Sequence, residues 1–162
     1  ENALRVAALL AKRFSELDPA GAAAYESRLS SFSAALHGRL DEWRGRLKPH
    51  PGARFVSYHR TWIYFAERFG LVQAGELEPK PGIPPTGSHT AALIARMKAE
   101  KVGLVFSDPW HESRTPEFVA KEAGARLVPM ALLPGAREGT DSYFAWMEHN
   151  VAAVARALET RP

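Results

Sequence analysis

The stretch ARFVSYHRTWIYFAERFGLVQAGELE, residues 53–78, decides the fold. It begins with the short apolar run ARFVSY, continues with a helical pattern over residues 60–69, and ends with a second strand-like run, LVQAGELE. A strand, a helix and a further strand in this order predict a βαβ unit, in which the two strands are parallel. His59 stands where the first strand ends, which makes it the first residue to consider as a ligand-binding group.

The same alternation continues to the end of the chain. VGLVFS and ARLVPMAL are two more strand-like runs, and helical patterns cover residues 88–100, 113–123 and about 140–159. The sequence therefore predicts an α/β fold with a four-stranded parallel sheet and helices on both faces. Right-handed crossovers would bring the carboxyl ends of the strands to one edge, where open α/β sheets bind ligands. The loops at that edge begin near His59, Glu78, Asp108 and Ala131.

Two helical segments precede the sheet. Residues 3–17 carry apolar side chains at helical spacing, and Asp18 followed by Pro19 is typical of a helix N-cap and first helical residue. From residue 20 to about 48 no proline interrupts an apolar pattern with three- and four-residue steps. This pattern predicts one helix roughly 43 Å long, which is much longer than the usual helix of a small domain.

Composition and motifs exclude several function classes. The net charge of +3 comes from 21 basic and 18 acidic residues that are scattered along the chain, so nucleic acid is not an expected partner. The absence of cysteine excludes a thiolate zinc site, a disulfide framework and a thiol nucleophile. No run approaches the roughly 18 apolar residues of a membrane span, and no signal peptide is recognised. Motifs for phosphate cradles, serine hydrolases and HExxH metalloproteases are also missing.

Three residues at the predicted ligand edge could bind a metal ion. His59 follows the first strand, Asp108 ends the third, and His111 lies in the loop after it. Imidazole and carboxylate groups are common metal ligands. The alternatives are structural: His59 could cap the following helix or be hydrogen-bonded within the fold, Asp108 could cap the helix after it, and His111 could be solvated. The other histidines are assigned to surface or packing positions, and Trp62, Tyr64, Phe65 and Phe69 to the core face of one helix.

Five stretches in this order resemble the zinc- and manganese-binding solute receptors of bacterial metal ABC transporters, in particular the zinc type. They are SYHRTWIYFAERFGL, ELEPKPGIPPTGSHTAALI, GLVFSDPW, FVAKEAGARLVPM and GTDSYFAWMEHNVAAVARAL. The resemblance implies two α/β lobes joined by a long helix, with the metal held between them. We therefore expect a C-terminal fragment without the N-terminal lobe: residues 1–18 as a remnant helix, 19–50 as the inter-lobe helix, and 51–162 as the C-terminal lobe.

The resemblance also implies a metal site. His59 matches the ligand position of the second lobe, and imidazole at that position favours zinc over manganese, which prefers oxygen ligands. Many members have an aspartate just after the last strand, where this chain has Ala131. Asp108 is the first candidate to replace that ligand and His111 the second. Because the first lobe supplies the other ligands in this family, we expect weak zinc binding, or none, by the chain itself.

The expected function is capture of zinc outside the cytoplasm and its delivery to an ABC permease, without enzymatic activity. The expected location is the periplasm or, for a lipoprotein, the outer face of the cytoplasmic membrane. Two alternatives stay open: a small metal-dependent hydrolase using His59 and Asp108, and an adhesion or scaffolding module. The apolar stripe of residues 3–17 predicts a dimer or a domain swap, because exposed patches of this kind favour association.

Overall fold

The computed structural model describes residues 2–80 and 82–159. Residues up to Glu42 form one compact unit and residues from Trp43 onward form another. The predicted domain boundaries at 18 and 50 stay a prediction. The helices are α1 (Asn2–Leu17), α2 (Ala22–Leu47), α3 (Ile63–Phe69), α4 (Gly87–Ala99), α5 (Arg114–Ala123) and α6 (Tyr143–Glu159). The strands are β1 (Arg54–Ser57), β2 (Val72–Glu76), β3 (Leu104–Ser107) and β4 (Arg126–Pro129).

The four strands form one parallel sheet in the order β2-β1-β3-β4, which confirms the predicted fold class. The chain leaves β1 for β2 on one side and then returns to place β3 on the other side of β1. The gap between the carboxyl ends of β1 and β3 is therefore a topological switch point, the place where open α/β sheets bind ligands. His59 follows β1 and His111 follows β3, so both lie at this gap.

Helices cover both faces of the sheet because successive side chains of each strand point to opposite sides. Val56 of β1 packs in one apolar cluster with Leu93 of α4 and Val119 of α5. Phe55, the preceding residue, points to the other face, where its ring stacks on Phe106 of β3 at a centroid distance of 4.1 Å. Trp62, in the short 3-10 helix Arg60–Trp62 before α3, contacts Phe106 edge-on.

The last turn of α2 belongs to the same unit as the sheet. Trp43 is fully buried, and its indole Nε1 donates a hydrogen bond to Glu148 of α6 at 2.8 Å. Arg46 forms an ion pair with the same carboxylate. Glu148 therefore accepts from two side chains one turn apart, which fixes the end of α2 against α6.

The other unit contains α1 and most of α2. Asp18 caps the short 3-10 helix between them, because its Oδ1 accepts from Gly21 N and its Oδ2 from the Tyr25 hydroxyl. The Phe14 and Tyr25 rings contact each other at 5.6 Å between centroids. The large apolar side chains of α1 remain exposed, Leu9 and Leu17 at 67%. Association through residues 3–17 stays a prediction.

Two features differ from the sequence expectation. Tyr64 is 73% exposed, whereas Trp62, Phe65 and Phe69 are buried as predicted. The reason is geometric: steps of three and four residues from Trp62 reach Phe65 and Phe69, but Tyr64 points away from that face. The last helix begins at Tyr143 rather than near Thr140. Among the described residues, no helix combines the length and apolar character needed to cross a membrane.

Candidate metal centre

His59 leaves β1 in an orientation fixed by its backbone. The buried Ser57 hydroxyl donates to the His59 carbonyl at 2.6 Å and accepts from Gln73 Nε2 of the neighbouring strand at 3.0 Å. His59 occupies the N-cap position of the 3-10 helix, but its side chain makes no capping hydrogen bond. The imidazole therefore does not serve the capping role considered from the sequence, and it is available for other contacts.

The His59 ring contacts two other polar side chains at the sheet edge. Its Nε2 lies 3.0 Å from Nε2 of His111 and 2.9 Å from Oε2 of Glu78. The side chains of His59 and Glu78 are 25% and 9% exposed. Residues that follow three different strands thus meet at one point, because β2, β1 and β3 are neighbours and parallel. The two imidazoles are partly exposed, His111 at 26%, so the point where these residues meet is not sealed from solvent.

Asp108 orients the His111 ring through a contact with Nδ1, the ring nitrogen that does not face His59. Oδ1 of Asp108, whose side chain is 6% exposed, lies 2.8 Å from His111 Nδ1 and also accepts from Trp110 N at 3.1 Å. A carboxylate only accepts, so this contact assigns the proton of the neutral ring to Nδ1. Nε2 of His111 then carries a lone pair and faces His59. Carboxylate-bound histidines of this type are typical zinc ligands.

This geometry fits part of a tetrahedral metal site. Two nitrogen ligands at the zinc–nitrogen distance of 2.0–2.1 Å lie about 3.3 Å apart in a tetrahedron. The 3.0 Å between the two Nε2 atoms is close to that value, and Glu78 Oε2 lies beside the same point. In residues 2–80 and 82–159, however, no group of three or more His, Asp or Glu side chains is arranged to hold a metal ion by itself. The arrangement is a pair of histidines with a flanking carboxylate.

Negative charge surrounds the pair. Tyr58, which is 9% exposed, lies among Glu112, Glu78 and Asp108. Burial raises the pKa of its hydroxyl above the ordinary value, and the charges of these three carboxylates raise that pKa further. Tyr58 thus stays neutral at physiological pH. With three carboxylates near the histidine pair, the local field favours a divalent cation.

Sequence reasoning predicted His59, Asp108 and His111, and the structure brings all three together; whether they bind a metal ion stays a prediction. It missed Glu78, although it placed Glu78 at the start of a loop on the same edge. The sequence did contain a signal for Glu78: it is an acidic residue that follows β2, and β2 is the neighbour of β1, the strand that precedes His59. His89 and His149 lie elsewhere and contact the backbone carbonyls of Glu76 and Pro129.

Ala131, where the resemblance implies an aspartate, is fully buried. Asn150 of α6 binds its backbone from both sides, with Oδ1 accepting from Ala131 N at 2.8 Å and Nδ2 donating to Ala131 O at 2.9 Å. Trp146 Nε1 donates to the same carbonyl. The loop after β4 is thus held by its backbone and offers no ligating side chain at this position.

The sequence and fold have clear relatives. The family described as "Zinc-uptake complex component A periplasmic", ZnuA, matches residues 1–157. The high-affinity zinc uptake system protein ZnuA of Brucella abortus is 29% identical over 144 residues, which are 88% of this chain and 43% of that relative. A crystal structure of ZnuA superposes with a TM-score of 0.76 at 29% identity, covering 91% of this chain and 55% of that one.

A second similar structure is FpvC of Pseudomonas aeruginosa in complex with Ni²⁺, with a TM-score of 0.74 and 28% identity over 93% of this chain and 56% of that one. The chain thus spans about half the length of these relatives. Because the family match extends over nearly all of its residues, the chain belongs to the ZnuA family of periplasmic zinc-uptake components.

Proposed function

We propose that this chain is the part of an extracytoplasmic metal receptor that presents His59 and His111 to a zinc ion for delivery to an ABC permease. The observation that carries the proposal is the 3.0 Å contact between their Nε2 atoms at the switch point of the sheet. The protein would act in the periplasm or at the outer face of the cytoplasmic membrane. It binds and releases its cargo without catalysing a reaction.

Each residue near the site has a role in this proposal. His111 offers the lone pair of Nε2 because Asp108 holds the proton on Nδ1. Nε2 of His59, which lies within hydrogen-bond distance of His111 Nε2 and Glu78 Oε2, would bind zinc through its lone pair in the tautomer that carries the ring proton on Nδ1. Glu78 then supplies a carboxylate oxygen as a third ligand or as a nearby countercharge. Asp108 acts through His111, which differs from the direct ligand role predicted for it as a replacement for the missing aspartate.

Zinc is the proposed cargo because two imidazoles favour it over manganese, which prefers a set of oxygen ligands. The name of the Brucella relative, a high-affinity zinc uptake system protein, also favours zinc as the cargo. The ion needs further ligands, because the pair and its carboxylate do not complete a site. We propose that these come from another part of the protein, consistent with relatives about twice as long as this chain.

Calorimetric titration of zinc chloride into the purified chain tests the proposal. Complete four-ligand zinc sites are worth 10–16 kcal/mol, so half a site at about 7 kcal/mol corresponds to a Kd on the order of 10 µM. We expect His59→Ala and His111→Ala each to weaken binding at least about tenfold. Manganese chloride, titrated in the same way, should bind more weakly than zinc.

His37→Ala is the matched control, because His37 is an exposed histidine of α2 whose ring contacts the Ser33 carbonyl in its own helix. It should leave the Kd unchanged. Zinc affinity that survives both site substitutions, or that falls equally with His37→Ala, would show that zinc binds to scattered surface histidines and would contradict the proposal.

A further inference from the structure

The position of His111 needs an explanation, because it lies in a loop rather than on a strand or helix. The loop runs from the end of β3 at Ser107 to the start of α5 at Arg114. A loop side chain samples many orientations unless its neighbours restrict it, and a metal site requires the ligand nitrogen within about 0.5 Å of its place. The hydrogen bond to Asp108 restrains one edge of the ring but leaves rotation of the ring plane about that contact.

The face of the His111 ring lies against Tyr58. The two rings are stacked, with centroids 4.0 Å apart and planes inclined by 13°. The same tyrosine meets the His59 ring edge-on at 5.2 Å and 74°. Because Tyr58 is the residue before His59, one aromatic ring contacts both histidines and sets the angle of 75° between their planes.

Tyr58 can act as a fixed support because its own ring is held by the core. It is 9% exposed and belongs to the apolar cluster beneath the sheet edge, with Val56, Leu77 and Val105. Its backbone carbonyl also accepts from Glu78 N at 3.1 Å. That hydrogen bond does not depend on the side chain, so substitutions of the Tyr58 ring leave the backbone position of Glu78 in place.

We propose that Tyr58 is a positioning residue of the metal site, whose ring holds the His111 imidazole in the plane that directs Nε2 at the zinc ion bound with His59. The inference rests on the proposed function. The face of the Tyr58 ring makes the contact with His111, so the hydroxyl is not needed for this role. Tyr58→Phe keeps the stacked contact, whereas Tyr58→Leu removes it. Both variants retain an apolar side chain for the core.

A double-mutant cycle of zinc affinity in the full chain tests the inference. We expect Tyr58→Phe to bind zinc within about twofold of the unaltered chain and Tyr58→Leu about tenfold more weakly, the loss typical of an outer-shell partner. In a His111→Ala background, Tyr58→Leu should cause no further loss. If the tyrosine supported the fold in general, its loss would weaken binding by the same factor in both backgrounds, and this outcome would overturn the inference.

A second readout does not involve metal. NMR cross-relaxation between the ring protons of His59 and His111 in the metal-free chain reports whether the two imidazoles keep their mutual orientation. We expect equal cross-peak intensities in the unaltered chain and in Tyr58→Phe, and weaker cross-peaks in Tyr58→Leu, because the Asp108 hydrogen bond alone lets the His111 ring plane turn. Unchanged cross-peaks in Tyr58→Leu would overturn the inference. If Tyr58→Leu does not fold, Tyr58→Met, which fills the space without a ring, gives the same comparison.

The outcomes separate the two proposals. Zinc affinity that is unaffected by His59→Ala and His111→Ala contradicts the proposed function itself. If both histidine substitutions weaken binding but Tyr58→Leu binds zinc as the unaltered chain does, the metal site stands and only the role of Tyr58 is wrong.

Discussion

Two ends of the same sheet edge use polar groups in opposite ways. After β1 and β3, the polar side chains of His59 and His111 face each other across the switch point and contact the carboxylates of Glu78 and Asp108. After β4, the side chains of Asn150 and Trp146 bind the backbone of Ala131, and the alanine is fully buried. One end offers ligands, whereas the other is closed by internal hydrogen bonds.

This difference indicates where the chain departs from the aspartate-containing pattern that the resemblance implies. A carboxylate at position 131 would lie in a fully buried place whose backbone is already bound. At the other end, Asp108 and Glu78 place carboxylates next to the histidines. The negative charge expected near the last strand is thus found near the second and third strands.

The largest expected effect concerns the loop after β4, where Asn150 binds the backbone of Ala131. Asn150→Ala removes both hydrogen bonds to Ala131 and leaves a buried amide N–H without its acceptor, so we expect unfolding free energy to fall by about 3 kcal/mol. Urea denaturation measures this loss. Zinc affinity should change less than twofold, because Asn150 contacts no residue of the histidine pair.

His149→Ala is the matched control for this substitution. His149 is the preceding residue of α6 and makes one hydrogen bond to a carbonyl of the same region, Pro129 O, from an exposed position. Its loss should cost no more than about 1 kcal/mol. If Asn150→Ala weakened zinc binding as much as His111→Ala does, the two ends of the edge would be coupled and the comparison would fail.

The next effect concerns how Asp108 acts at the ligand end. Asp108→Asn replaces the charged acceptor of His111 Nδ1 with a neutral one, so the ring loses basicity and its tautomer is less fixed. We expect zinc binding about tenfold weaker, which equals about 1.4 kcal/mol. Competition with a chromophoric zinc chelator measures the change.

The alternative role for Asp108 gives a different result. A direct ligand would lose at least as much affinity on Asp108→Asn as the site loses on His111→Ala, and the loss would persist in the His111→Ala background. A positioning carboxylate would have no further effect in that background. The double variant therefore decides between the ligand role predicted from the sequence and the supporting role suggested by geometry.

Much of this architecture was predictable because periodicity and topology act over whole elements. Four short apolar runs with helices between them predicted the parallel sheet, and the parallel sheet placed the residues after β1 and β3 on one edge. What could not be predicted is the direction of side chains in loops. The Glu78 contact, the stack of Tyr58 on His111 and the backbone clamp on Ala131 depend on loop conformations that no period in the sequence specifies.

The smallest expected effect concerns Glu112, a carboxylate in the same loop as His111 that we place outside the metal site. Burial would raise the pKa of Glu112, but hydrogen bonds from the Thr115 hydroxyl and from the backbone amides of Thr115 and Arg114, with the charge of Arg114, hold that pKa below its ordinary value. A lowered pKa in the folded state means that the ionised form stabilises the fold. This contribution is complete above the unfolded-state pKa of about 4.3 and is lost as the pH falls through the folded-state value.

Glu112→Gln should therefore lower the unfolding free energy at pH 7 by a few tenths of a kcal/mol, because the carboxylate is exposed and screened. The difference from the unaltered chain should shrink as the pH falls below about 4.3, as urea midpoints measured along a pH series would reveal. Glu117→Gln, which removes a negative charge from the first turn of α5, is the matched control. Zinc affinity should stay within about twofold, since Glu112 supports the helix start rather than a histidine. A tenfold loss would instead place Glu112 among the groups that hold the ion, and the division of this loop into a ligand part and a capping part would be wrong.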